Sequence, residues 1–85
     1  MSAPDEKHPQ ILINLPVLKK DDLSKDTYVK IIESKQKELV NGRIIVRFSG
    51  TENVLRVMTE DENMELANNV AKTLAKKLQE ALNNI

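Results

Sequence analysis

Apolar and polar residues alternate twice in the middle of the chain. In "RIIVRF", Ile44, Val46 and Phe48 fall on one side, with Arg43, Ile45 and Arg47 on the other. In "VLRVMTE", Leu55 and Val57 alternate with Val54, Arg56 and Met58. A period of two is that of a strand with one covered face. The few polar residues between the two runs predict a hairpin. Upstream, "QILINLPV" has the length and the Ile, Leu and Val content of a strand, and Pro16 suits a sheet edge or a strand end.

Two segments have helical spacing. In "DTYVKIIESKQKELVNG", Tyr28, Val29, Ile32 and Leu39 recur near a 3.6-residue period. Asp26 is a candidate N-cap, and Asn41-Gly42 is expected to end the helix through a left-handed glycine. In "DENMELANNVAKTLAKKLQEALNNI", Ala67, Val70, Ala71, Leu74, Leu78 and Leu82 trace one stripe, and Asp61 or Asn63 can cap its start. The order β-α-β-β-α predicts an α+β fold: a small antiparallel sheet with two helices on one face. A single core requires both helices on that face. The other face then presents Ile45, Val54 and Met58 beside Arg47 and Arg56, a partly apolar surface suited to docking on another domain.

Composition narrows the class. The 85 residues suit one small domain, residues 10–85, preceded by a polar, proline-containing stretch, residues 1–9, expected to be a disordered tail or linker. With one Tyr and one Phe, the core must be aliphatic. Thirteen basic residues balance thirteen acidic ones, so no net field draws the chain to nucleic acid or an anionic membrane. Cysteine is absent, which excludes a disulfide framework, thiolate metal ligands and a thiol nucleophile. No apolar run is long enough to span a bilayer, and the start lacks a secretory signal, so a cytoplasmic location is expected.

The hairpin holds the chemistry. "RFSGTEN", residues 47–53, gathers one arginine, two hydroxyls, a glycine and a carboxylate. Arg47 offers a planar fork of donors for a phosphate. Ser49 and Thr51 add short hydroxyl donors, and Gly50 lets the main chain come close to an anion. Arg56 on the returning strand can face the same mouth. Glu52 fits a phosphate poorly; it suits holding an arginine or meeting a sugar hydroxyl. A plain polar turn accounts for the same residue types. Glu60, Asp61 and Glu62 read as helix-capping; His8 and the pairs Lys19-Lys20 and Lys76-Lys77 read as solvated.

"GRIIVRFSGTENVLRVMTE", residues 42–60, resembles the C-terminal signature of the α-D-phosphohexomutase superfamily, usually R-x-S-G-T-E-P between two strands. The continuation "LRVM" is most similar to the bacterial phosphoglucosamine mutases. "PQILINLPV", "VNG" and the final amphipathic helix also fit, so the resemblance covers residues 9–85. Two positions depart from the pattern: Asn53 replaces the usual proline, and Phe48 stands where proline or a small residue is common.

The resemblance implies a fourth domain that binds the substrate's phosphate and is inert alone. Its fold would be like the TATA-box-binding protein, a likeness without any DNA-binding implication. Other domains of the parent enzyme would supply a phosphoserine, a Mg2+-binding aspartate loop and a sugar-recognition loop. Glucosamine 6-phosphate would become glucosamine 1-phosphate through a bisphosphate intermediate. Phosphate contacts carry over to Arg47, Ser49, Gly50 and Thr51, then to Arg56 and Glu52; no residue here is catalytic or a metal ligand. The implied partners are the phosphosugar and the enzyme's other domains, with no nucleic acid and no membrane. A phosphomannomutase or phosphoglucomutase domain is the alternative within the superfamily. A stand-alone interaction or nucleic-acid-binding module is the alternative outside it, weakened by having only Tyr28 and Phe48 as stacking platforms.

Overall fold

The computed structural model describes residues 10–84; the expected tail at residues 1–9, with His8, lies outside them. Strand β1 (Gln10–Pro16) is followed by helix α1 (Asp26–Gln36), the hairpin strands β2 (Arg43–Phe48) and β3 (Val54–Glu60), and helix α2 (Met64–Asn83). The sheet is antiparallel with order β1-β3-β2, so β3 is central and Pro16 closes an edge strand.

Alternation decides which side chains are covered. Leu15 of β1 and Leu55, Val57 and Thr59 of β3 are buried, and Ile13, Ile44, Val46 and Phe48 pack against the same core. Helix α2 lays its stripe of Ala67, Val70, Ala71, Leu74, Leu78 and Leu82 over them, all essentially without solvent contact. Asn63 is its N-cap, its side chain accepting from the Leu66 N–H at 3.1 Å. The buried Thr59 hydroxyl donates to the Ala67 carbonyl at 2.7 Å and so avoids an unpaired polar group in the core.

Helix α1 departs from expectation at both ends. Lys25, not Asp26, is the N-cap and makes no side-chain cap; Asp26 is the first helical residue, where its charge still favours the helix dipole. The helix stops at Gln36, well before Asn41-Gly42. The Gln36 side chain leaves the helix for the sheet, donating to the Gly42 carbonyl at 2.8 Å and accepting from the Ile44 N–H at 3.1 Å. It thereby pairs a donor on the outer edge of β2 that no fourth strand covers. Gly42 is not a left-handed cap. A Cβ there would overlap the Glu60 carbonyl oxygen, so the residue is needed for a close crossing of two backbone segments.

Asp61 is buried and ties that crossing, accepting from the Asn41 N–H and the Asn63 N–H, each at 2.9 Å. It therefore braces the approach to α2 while Asn63 caps the helix itself.

Tyr28 anchors α1 in the core with its ring buried and its hydroxyl donating to Asp21 Oδ2 at 2.6 Å. This bond, with a further one from Lys25, holds the Asp21 carboxyl down from 3.8 to about 2. Burial, then the same carboxylate, raises the Tyr28 phenol from 10.0 to about 12. Asp21 stabilises the fold above its unfolded value, and that contribution is lost as pH falls through about 4 towards 2. The phenol's share is present below pH 10 and lost as pH rises towards 12. Tyr28→Phe is therefore expected to be less stable than wild type near pH 7, with the gap narrowing towards pH 2 when melting is followed by circular dichroism. A gap independent of pH would mean that the bond does not couple to folding.

Candidate functional site

The uncovered face of the sheet is organised in rows across β1, β3 and β2. Leu12, Met58 and Ile45 form an apolar row, with Leu12 60% and Ile45 41% exposed. Asn14, Arg56 and Arg47 form the next, nearer the hairpin. Arg47 and Arg56 stand directly opposite each other on adjacent strands, both exposed. Like charges in that position are mutually unfavourable. On the other side of the apolar row the same strands show the usual remedy: Arg43 Nε donates to Glu60 Oε1 at 3.2 Å. Among the described residues neither the Arg47 nor the Arg56 guanidinium has a hydrogen-bonding or ion-pair partner. Together with Leu12, Ile45 and Met58 they line a shallow concavity of about 280 Å³.

Residues 49–53 connect β2 to β3. The Ser49 N–H closes the hairpin by donating to the Val54 carbonyl at 2.8 Å, and the Thr51 N–H makes a long bond, 3.4 Å, to Ser49 Oγ. The Asn53 carbonyl accepts from the Val17 N–H at 2.9 Å, tying the loop's exit to the residue after β1. The backbone N–H groups of Gly50, Glu52 and Asn53 have no acceptor among the described residues. Among the described residues the loop thus holds three amides without an acceptor, and the two strands it joins carry two guanidiniums without a partner.

Gly50 differs from Gly42. A Cβ at Gly50 would meet nothing within 4 Å, and the backbone there lies outside the left-handed region. Nothing in the fold itself requires glycine at this position, whereas close approach of an external group to the main chain does benefit from it.

The structure thus brings Arg47 and Arg56 together on the open face, with Ser49, Gly50 and Thr51 in the hairpin that follows the Arg47 row. The hydroxyl residues are not among those lining the concavity. Glu52 is exposed and makes no ion pair with either arginine. One further cation reaches the loop: Lys20 Nζ donates to the Ser49 carbonyl at 2.9 Å. Reading Lys19-Lys20 as a solvated pair misses this contact, because its partner lies 29 residues away and no local pattern marks it. Among the described residues no group of three or more His, Asp or Glu side chains is placed to hold a metal, and no helix is long and apolar enough to cross a membrane.

Residues 12–77 match the family model of the phosphoglucomutase/phosphomannomutase C-terminal domain. The chain belongs to this family. Among curated relatives, it is 43% identical over 70 residues to the phosphoglucosamine mutase of Chlamydia muridarum, covering 80% of this chain and 15% of that one. It is 43% identical over 79 residues to the phosphoglucosamine mutase of Lactobacillus johnsonii, covering 91% of this chain and 18% of the relative. Among solved structures, N-acetylphosphoglucosamine mutase of Aspergillus fumigatus, in complex with GlcNAc-6P and magnesium, superposes with a TM-score of 0.72 at 27% identity. That match covers 88% of this chain and 16% of the enzyme. The domain therefore spans less than a fifth of the length of these relatives. The α+β architecture read from the sequence is that of the family.

Proposed function

We propose that this domain holds the phosphate of a phosphosugar for a phosphoglucosamine mutase and performs no bond-making step itself. The carrying observation is the facing pair Arg47 and Arg56, left among the described residues without a carboxylate, on the strands that flank a hairpin whose Gly50, Glu52 and Asn53 amides find no acceptor there. Such donors neutralise a dianion and fix its orientation without offering a nucleophile. In this reading Arg47 supplies the fork, Ser49 and Thr51 their hydroxyls, and Gly50 an amide at close range. Arg56 adds charge from the neighbouring strand, and Glu52 is left to a sugar hydroxyl.

The parent enzyme would be cytoplasmic and would convert glucosamine 6-phosphate to glucosamine 1-phosphate. Its other domains would carry the phosphoserine and the Mg2+, and this domain would grip whichever phosphate is not reacting. The identity of the curated relatives favours phosphoglucosamine mutase over a phosphomannomutase or phosphoglucomutase assignment. The apolar row of Leu12, Met58 and Ile45 suits contact with the remainder of a longer chain.

The test is an NMR titration of the 85-residue chain with inorganic phosphate and with glucosamine 6-phosphate. The amide signals of residues 49–53 are expected to move, saturating at millimolar ligand because the contacts of the other domains are missing. Gly50→Ala gives the companion result. Its melting temperature should be unchanged or slightly raised, since a Cβ fits there and alanine narrows the unfolded ensemble. Its phosphate shifts should shrink. Shifts clustered away from the hairpin, or none at high ligand, would reject the reading. Binding to oligonucleotides with a steep salt dependence would favour the interaction-module alternative instead.

A further inference from the structure

Lys20 leaves the connection between β1 and α1, crosses to the hairpin and donates to the Ser49 carbonyl. That carbonyl belongs to the same peptide unit as the Gly50 N–H. A trans peptide is planar, with its C=O and N–H pointing to opposite sides. Whatever holds the oxygen therefore sets the direction of the hydrogen. Other bonds fix the flanking units: the Ser49 N–H is committed to Val54, and the Thr51 N–H to Ser49 Oγ. The Ser49–Gly50 unit has no backbone partner on either side among the described residues, so the lysine is its tether.

We infer that Lys20 is a positioning residue for phosphate binding: it locks the Ser49–Gly50 peptide so that the Gly50 amide faces away from the lysine, towards the anion. The inference rests on the proposed phosphate site and adds to it a residue outside the signature motif. A second effect acts in the same direction. A hydrogen bond from an ammonium to the carbonyl polarises the peptide and makes its N–H a stronger donor. The amine itself need not touch the ligand.

The anchorage of Lys20's own segment is consistent with a fixed role. The Val17 N–H bonds to the Asn53 carbonyl at the far end of the same loop. The Leu18 N–H is held by Asn83 Oδ1 at 3.2 Å, and Asp21 is held by Tyr28 and Lys25. The lysine thus springs from a segment tied through the Val17 and Leu18 amides on one side and the Asp21 carboxylate on the other, and its reach to Ser49 is that of a brace.

The experiment compares wild type, Lys20→Met and Lys20→Arg in the 85-residue chain, by NMR titration with inorganic phosphate at low and at high salt. Lys20 is exposed, so both variants should melt near the wild-type temperature. Lys20→Met is expected to shift the Gly50 amide signal before any ligand is added. It should also weaken phosphate binding by about three- to tenfold, the loss expected of one hydrogen bond. Lys20→Arg, which can still donate to the carbonyl, should recover most of the affinity. A lysine acting only as a remote charge would show a loss that vanishes at high salt; persistence of the loss supports the brace. Unchanged affinity in Lys20→Met while the wild-type hairpin still responds to phosphate would overturn this inference and leave the phosphate site standing. A wild-type hairpin that ignores phosphate would overturn both.

Discussion

Gly42→Ala is expected to be the most damaging single-atom-scale change in the domain, costing about 3 kcal/mol or more. The added Cβ would overlap the Glu60 carbonyl and lie 2.8 Å from Asp61 Cα, both backbone atoms that cannot swing aside. Relief would require β2 and the end of β3 to part. That would strain the Arg43–Glu60 pair and the bonds that Asp61 makes to Asn41 and Asn63, all at the same crossing. Total stability for a domain of this size is about 4–13 kcal/mol, so the variant should melt far below wild type or fail to fold. Thermal or urea denaturation measures this directly. A melting temperature within two or three degrees of wild type would show that the two backbone segments can part at little cost.

Arg47→Ala should produce the opposite profile. Its side chain is exposed and without a partner among the described residues, so folding loses little. Relief from the facing Arg56 should even raise the melting temperature slightly. Phosphate affinity, by contrast, should fall about ten- to a hundredfold, as expected when a charge-assisted and potentially bidentate contact is removed. Arg47→Lys should recover part of this, because it restores the charge without the fork. In a full-length enzyme carrying the domain, the same substitution should lower kcat/KM. An unchanged kcat/KM, or a destabilised fold with intact phosphate binding, would assign Arg47 a structural role. Stability gained and affinity lost in one variant is the pattern of a residue retained for a ligand.

The sequence made the sheet and α2 legible because each repeats its own local rule. Two-residue alternation in "RIIVRF" and "VLRVMTE" sorts the covered from the open face, and every member of the Ala67-to-Leu82 stripe is buried. The end of α1 was not legible, because tertiary contacts decide it. Leu39 continues a helical spacing, but the Gln36 amide is turned to the edge of β2, and residues beyond it serve the turn into the strand. Gly42 looks like any helix-terminating glycine until Glu60 is placed beside it. The arginines and the hairpin glycine stood out through their residue types, whereas their facing register emerged only from strand pairing. Lys20 had no signal, since a lysine in a polar stretch has the same appearance whether it ends in water or on a carbonyl.

The strand pairing also limits what the open face can accommodate. Arg47 and Arg56 spring from neighbouring strands, so the ladder holds their anchoring points about 5 Å apart and their two guanidiniums serve one place on the face. If the pair holds a phosphate as proposed, it offers one seat: a sugar bearing phosphates at both ends would lodge one of them there, and presenting the other would require it to let go and turn round.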